Sequence, residues 1–526
     1  MSRDPLAHLR DPGTIRARCA AVTQAVERGR SGWFTLDRSR LSEAARRVAA
    51  LTRSRFPDLK IPYHSRWRHF EAGGVDRKAE LDTRLAGCTD GQVARAQIDL
   101  TVVSVLLDAG AGASWRYREG AGAIDALALP VHRQQGDELL AMLGQASGAS
   151  GPDRADGPDG PDGAGGTGGT GATGQAGVTP ETRATSAAGE AGGFVEAPAA
   201  PADKAPAAAA PGATYARSEG LAVASFRAFL AGVFSDVPGE PLRVDARALK
   251  RLDAAALRAV FQVGPSNPLV GLEGRAALLV RLGEVLEELA AVQGGEARPG
   301  RLYDTLLAAS AGGALGEAQG EPQAVVQGRG VGSSPSPVPA QAILGALLRD
   351  YAPIWLGGSR VLGLPAGDVW PHPWAGSAGP VAGASDPATV GWVPFHKLSQ
   401  WLTYSLLEPL EWAGVPVVGL EALTGLPEYR NGGLLLDTGV VVPRAAGDLA
   451  RTWKPSDEFI VEWRALTVTL LDELAVLVRE ALGPQATDLP LACILEGGTW
   501  AAGREIAQEL RGGAPPLVID SDGTVF

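Results

Sequence analysis

The sequence predicts a mainly α protein: a single multi-helix domain with a small β-sheet or hairpin near its C-terminal end. Three observations carry this. Apolar residues recur at helical spacing over many segments of 11 to 26 residues. Strand-like runs are few and short, and they gather after residue 430. Hydrophobic residues make up 45% of the 526 residues and charged ones 20%, enough to bury a large core.

In chain order, residues 14 to 29 read as a helix capped by Thr14 and ended by Gly29. The aromatic connector Trp33 to Asp37 leads to a second helix over 39 to 54. Residues 61 to 77, IPYHSRWRHFEAGGVDR, read as a loop dense in aromatic and ionisable groups. Residues 92 to 109 form a strongly apolar helix. A helix opens near Arg217, with Ser218 as its cap, and residues 245 to 261 give one or two more. The loop Gly264 to Pro268 leads into a long amphipathic helix. Further helices follow over 340 to 350, 394 to 412 (with Pro409 near its end) and 457 to 482. Leu434 to Leu436 and Val440 to Val442 flank Asp437-Thr438-Gly439, a hairpin signal. Leu491 to Leu495 reads as a buried strand, followed by Glu496-Gly497-Gly498 and a helix from Trp500 to Leu510 capped by Thr499. Leu517 to Asp520 reads as a closing strand, with a turn at Ser521-Asp522-Gly523.

Residues 147 to 213 differ in kind. Gly, Pro, Ala, Ser and Thr dominate, so the segment buries too little apolar surface to offset its ordering entropy. It is expected to be a disordered insertion, and 314 to 338 a shorter flexible one. Residues 1 to 146 and 214 to 526 then make the one helical domain.

The net charge of −11 argues against nucleic acid as a partner, because phosphate contacts need a basic surface. No apolar run is long enough for a membrane span, and the first residues lack the apolar core of a secretory signal. Cys19, Cys88 and Cys493 are scattered and odd in number, which suits a reducing compartment and gives neither a disulfide framework nor a zinc motif. The expectation is a soluble, cytoplasmic protein.

No nucleophile-elbow, zincin, dinucleotide or phosphate-loop signature occurs. His64 and His69 are five apart, which misses the i, i+4 spacing of a helical metal pair. No metal and no cofactor are therefore expected. Chemistry falls to carboxylates, arginines and histidines. Glu428, with Tyr429 and Arg430 beside it and Gly432-Gly433 after it, is the first catalytic candidate. Such a carboxylate can activate water or stabilise an oxocarbenium-like centre. The plainer reading is a Glu428–Arg430 ion pair that pins a turn. Glu496 is the second candidate, with Arg504 as its expected partner. Arg66, Arg68 and Arg217 suit an anion, since guanidinium matches phosphate with two hydrogen bonds. His64, His69, Glu219, His396, Gly497 and Gly498 complete the set expected to line a substrate site.

Several stretches together resemble a known family: IPYHSRWRHFEAGGVDR, RSEGLAVASF, FQVGPSNPLVGLEGRAALL, GLPEYRNGGLLLDTGV and LEGGTWAAGREIAQELRGGAPPLVIDSDGTVF. They look like blocks of the uracil catabolism protein 4 family, in the same order and across nearly the whole chain outside the two insertions. The resemblance implies a place in uracil breakdown, a route in which the ring of a uracil ribonucleotide is opened by a protein similar to GTP cyclohydrolase II. It further implies a small nucleotide-derived or ribosyl substrate, and other uracil-catabolism enzymes as partners. A weaker resemblance links Glu428-Tyr429-Arg430 to the Asp-Tyr-Arg block of queuosine-salvage nucleoside glycosylases, which share a helical fold with DNA glycosylases. Glu stands here in place of Asp. Together these imply a hydrolase that cleaves an N-ribosyl bond, for instance in ribosylurea phosphate. The alternative is a non-catalytic binding or assembly partner of the ring-opening enzyme.

Overall fold

In the computed structural model, residues 4–108, 110–112, 114–120, 212–312, 335–355, 357–376 and 389–520 are described. Most of both expected insertions, and the expected turn at 521 to 523, lie outside these residues. The described residues belong to one unit, within Met1–Gln135 and Ala199–Phe526.

The architecture is mainly α, as the periodicity predicts. The first helices are α1 (Pro12–Glu27), α2 (Leu41–Arg55), α3 (Arg66–Phe70), α4 (Arg77–Arg84) and α5 (Asp90–Leu106). They are followed by α6 (Arg217–Leu230), α7 (Ala246–Arg251), α8 (Ala254–Val260), α9 (Leu272–Gln293) and α10 (Arg301–Ala311). The last are α11 (Ala340–Asp350), α12 (Lys397–Trp412), α13 (Tyr429–Asp437), α14 (Glu458–Leu482), α15 (Leu491–Ile494) and α16 (Trp500–Arg511). Between them run β1 (Phe34–Leu36), β2 (Arg116–Arg118), β3 (Thr214–Ala216), β4 (Val338–Pro339), β5 (Ser359–Val361), β6 (Leu364–Gly367), β7 (Val369–Pro371), β8 (Trp392–Pro394), β9 (Val417–Val418), β10 (Val441–Pro443), β11 (Thr452–Trp453) and β12 (Val518–Ile519), all short and joined in two-stranded ladders.

Two helices organise the core. Helix α14 is buried along most of its length and packs on α1, α2 and α13. Its Phe459, Leu466 and Leu470 are fully buried, each contributing roughly 1.5–3 kcal/mol relative to exposure. Helix α5 is the second centre and packs on α12, α6 and α10. A capping box of Thr89 and Gln92 fixes its start. Buried ion pairs set the frame: Arg464 holds Asp368 with two hydrogen bonds of 2.7 and 2.8 Å, and Arg298 and the Gly300 amide hold Asp99.

Several local readings are revised. Residues 434 to 442 are not a hairpin. Leu434 to Leu436 continue α13, Gly439 ends it at φ +74°, and β10 (Val441–Pro443) pairs instead with β1 (Phe34–Leu36). Gly432 lets α13 lie against Trp463 of α14, since a Cβ there would sit 2.4 Å from the ring. Residues 491 to 495 are not a strand. They form α15 and lead into a π-helical segment, Leu495–Thr499, that runs on into α16. A short apolar run does not separate a strand from a buried helix. The glycines serve packing here: a Cβ on Gly498 would lie 2.7 Å from the Val48 carbonyl of α2. Thr499 is consequently no cap, and its backbone is helical. Ser218 does not cap α6, which starts at Arg217. Asp11, and not Thr14, caps α1. The expected closing strand does form, with β12 (Val518–Ile519) lying parallel to β11 (Thr452–Trp453).

Candidate active site

Groups from five elements meet in one recess. The stretch read as a loop at 61 to 77 contains α3, capped by Ser65, whose hydroxyl accepts from the Trp67 amide. This short helix turns Arg66 inward, where it is fully buried. Arg66 Nε donates to Ser104 Oγ at 2.7 Å, and Nη1 donates to Asp108 Oδ2 at 2.8 Å and to the Ser218 carbonyl at 3.1 Å. One side chain thus ties the end of α5 to the start of α6. The guanidinium carbon lies 5.7 Å from the Trp401 ring, and the His69 ring is also 5.7 Å from Trp401. Trp401 sits one turn after Lys397 on α12, so both project from one face.

Electrostatics extend the cluster to α13. Burial, with the Arg464 charge, pushes the Lys397 ammonium below its ordinary value, while Glu428, and more weakly Asp368 and Asp108, act in the other direction. Burial raises the Tyr429 hydroxyl and Glu428 adds to it, with Arg430 and Arg217 opposing. Burial, then Arg66 and His64, push the His69 imidazole down to about 3, so it is neutral at physiological pH. Burial also raises the Glu219 carboxyl. Lys397, His69 and Glu219 nevertheless keep part of their surface open, and Arg217 is exposed. Groups that are desolvated yet reachable line a recess rather than a sealed core. Three buried donors here have no hydrogen-bond acceptor among the described residues: Trp401 Nε1, Arg66 Nη2 and Arg430 Nε. Unpaired buried donors are costly, and ligand oxygens would relieve them.

Glu428 is placed by the start of α13. It is the N-cap, in extended backbone, and its Oε1 accepts from the Asn431 amide at 2.9 Å. Capping uses one acceptor of a carboxylate that has several, so the group is oriented without being saturated. The Glu428–Arg430 ion pair does not form among the described residues. Arg430 lies by the Tyr429 ring, at 5.1 Å, and reaches the Gly513 carbonyl. Helix α16 presses against this turn because Gly503 has no side chain, and a Cβ there would sit 2.2 Å from the Arg430 carbonyl.

Glu496 stands in the π-helical segment and is paired on both oxygens. His64 Nδ1 donates to Oε2 at 2.9 Å, and Arg55 Nη2 donates to Oε1 at 3.2 Å. Burial alone would raise this carboxylate; the His64 hydrogen bond and charge, with Arg55 and Arg68, outweigh it and hold it below the usual range. The expected partner Arg504 lies by the Trp500 ring instead. Gly497 packs on Ile61 and Thr52. The junction is fastened to α13 by Thr499 Oγ1, which donates to Asn431 Oδ1 at 2.9 Å.

Of the remaining candidates, Arg68 is engaged by Glu408 at 2.7 Å and Glu71 at 2.8 Å. His396 does not join the recess: it is buried in left-handed backbone, and its Nε2 donates to the Leu9 carbonyl at 2.8 Å. Sequence reasoning missed Asp108, Lys397 and Trp401. The i, i+4 pairing of Lys397 with Trp401 at the start of an amphipathic helix was the available signal. A cavity of about 510 Å³ lies apart from these groups, lined by Arg16, Glu421, Asp472 and Arg479 among others. Its arginines are already engaged, Arg16 with Asp472 and Arg479 with the Leu489 carbonyl, so it has less to offer a charged ligand.

Known proteins match this chain over its length. The family model described as "Protein of unknown function (DUF1688)" matches residues 8–136 and 197–526. Protein urg3 of Schizosaccharomyces pombe is 33% identical over 539 residues, covering 100% of both chains. Uracil catabolism protein 4 of Lachancea kluyveri is 30% identical over 552 residues, covering 99% of both. The chain belongs to this family, the one that contains protein urg3 and uracil catabolism protein 4.

Proposed function

We propose that the protein acts in uracil catabolism, as a hydrolase that cleaves the N-ribosyl bond of a uracil-derived intermediate such as ribosylurea phosphate. The name of one relative, uracil catabolism protein 4, supports the pathway. The observation that carries the reaction is Glu428, held by its own helix start with one oxygen engaged, and close enough for its charge to act on the partly exposed Lys397, whose ammonium burial lowers.

In this reading water attacks C1′ of the ribosyl group. Glu428 stabilises the positive charge that builds on the sugar and takes the water proton. Lys397, made more acidic by burial, gives a proton to the departing urea nitrogen. The products are urea and ribose phosphate. A proton passing from Glu428 to Lys397 resets the site. Arg66, Arg217 and the Trp401 indole supply donors for the phosphate and hydroxyl oxygens. Neutral His69 adds no competing positive charge.

Purified protein incubated with ribosylurea 5′-phosphate should release urea and ribose 5-phosphate in equal amounts. Binding without turnover, together with a stable complex with the ring-opening enzyme, would replace this reading by the non-catalytic one.

A further inference from the structure

A second group of chemistry-bearing side chains lies outside the recess and is independent of the proposed reaction. Glu458 and Glu462 stand four residues apart at the start of α14, so they share one helix face. His372 approaches from the turn after β7 (Val369–Pro371). Ligand atoms of the three lie within 4.8 Å of one another. His372 and Glu462 side chains are fully buried, while Glu458 is exposed. His372 Nε2 and Glu462 Oε2 face each other at 3.4 Å, and neither has a hydrogen-bond partner among the described residues.

That separation is informative. It is long for an N–H···O hydrogen bond, which prefers roughly 2.7–3.2 Å. Two ligands about 2.0–2.1 Å from a tetrahedral metal ion stand about 3.3–3.4 Å apart. The carboxylates are also held from behind, as metal ligands commonly are. Ser31 Oγ donates to Glu462 Oε1, and it is itself fixed by accepting the Trp33 and Phe34 amides at 2.9 Å. Trp33 Nε1 donates to Glu458 Oε1 at 3.1 Å. A buried carboxylate oxygen with no partner is costly, and a cation removes the cost.

We propose that His372, Glu458 and Glu462 form a binding site for a first-row divalent cation of the Zn2+ type. One nitrogen and two carboxylates are the donors, and the exposed Glu458 side leaves the fourth position to water. Coordination through Nε2 puts the ring proton on Nδ1. The 3.3 Å contact in which Nδ1 accepts the Trp374 amide must therefore open when the ion enters.

The test is Co2+ titration of the chelator-treated full-length protein, followed by visible absorption, with Zn2+ displacement. One equivalent should bind, with the intense bands of four-coordinate Co2+, and Zn2+ should displace it and raise Tm. Glu462→Gln and His372→Gln should each weaken binding by at least about 10–100-fold, the range seen for loss of outer-shell partners alone. Glu458→Gln, at an exposed position, should weaken binding with folding intact, so the test holds if the buried variants unfold. Cys88→Ser, which removes the exposed thiol, should change nothing. No uptake by the wild type would overturn the proposal and leave His372 and Glu462 as a purely structural contact. So would uptake that Glu458→Gln leaves unchanged.

Discussion

Glu428 and Glu496 are both carboxylates beside paired glycines at a helix junction, and the fold uses them differently. Glu496 spends both oxygens on His64 and Arg55 inside a π-helical turn whose glycines are filled by α2 and Ile61. Glu428 caps α13 with one oxygen and stands near an ammonium made more acidic by burial. The first carboxylate has both oxygens engaged, while the second is oriented by one and keeps capacity on the other. Burial of a charge is thus a weak guide to chemistry. What its partners leave unused is a better one.

Four measurements bear on this contrast. The largest concerns Glu428→Gln. Urea release should fall roughly 10²–10⁴-fold, the usual worth of a positioned acid or base, while loss of the better cap costs only about 1 kcal/mol of stability. Glu496→Gln should do the opposite. Denaturant unfolding should show a loss of roughly 1–3 kcal/mol, because Arg55 and His64 lose a charged acceptor, with activity per folded molecule nearly kept. Gly503→Ala forces a methyl onto the Arg430 carbonyl and should cost roughly 1–3 kcal/mol. It should also raise KM, because it shifts the turn that carries Glu428.

The smallest effect is in pH dependence. His69 titrates near 6.5 when unfolded and at about 3 when folded. The unfolded chain therefore binds the extra proton between these values, and stability falls as pH drops through that window. His69→Gln should flatten the fall between about pH 6.5 and 4.5 relative to the wild type, since the carboxylates raised by burial, such as Glu71 at about 7, contribute with the opposite sign in both proteins. An unchanged slope there would place His69 in a solvated setting and weaken the case for a desolvated recess.

Much of the fold was legible because long helices carry their own period. Helices α1, α2, α5 and α14 fall within a few residues of the expected positions. The failures share a cause. Leu491 to Leu495 and Leu434 to Leu436 are short apolar runs, where strand and buried helix look alike, and glycines nearby suggested turns. Those glycines, Gly432 and Gly498, admit Trp463 and Val48, contacts that only the tertiary structure supplies. The candidate residues were partly legible for the same reason. Glu428, Arg66 and His69 stood out as dense local clusters. Asp108 and Lys397 lie hundreds of residues apart in the chain and meet only through folding. His372, Glu458 and Glu462 escaped notice likewise, because no local spacing joins a turn at 372 to a helix at 458.

On the proposed reading the substrate sits at Glu428 rather than at Glu496 or in the cavity by Arg16. A crystal structure of the Glu428→Gln protein soaked with ribosylurea 5′-phosphate tests it most directly. The account predicts ribose C1′ about 3–3.5 Å from the side chain at 428, as a near-attack arrangement requires, with phosphate oxygens on Arg66, Arg217 or the Trp401 indole. Ligand density against Glu496 and His64, or in the cavity lined by Arg16 and Arg479, with the recess empty, would contradict it.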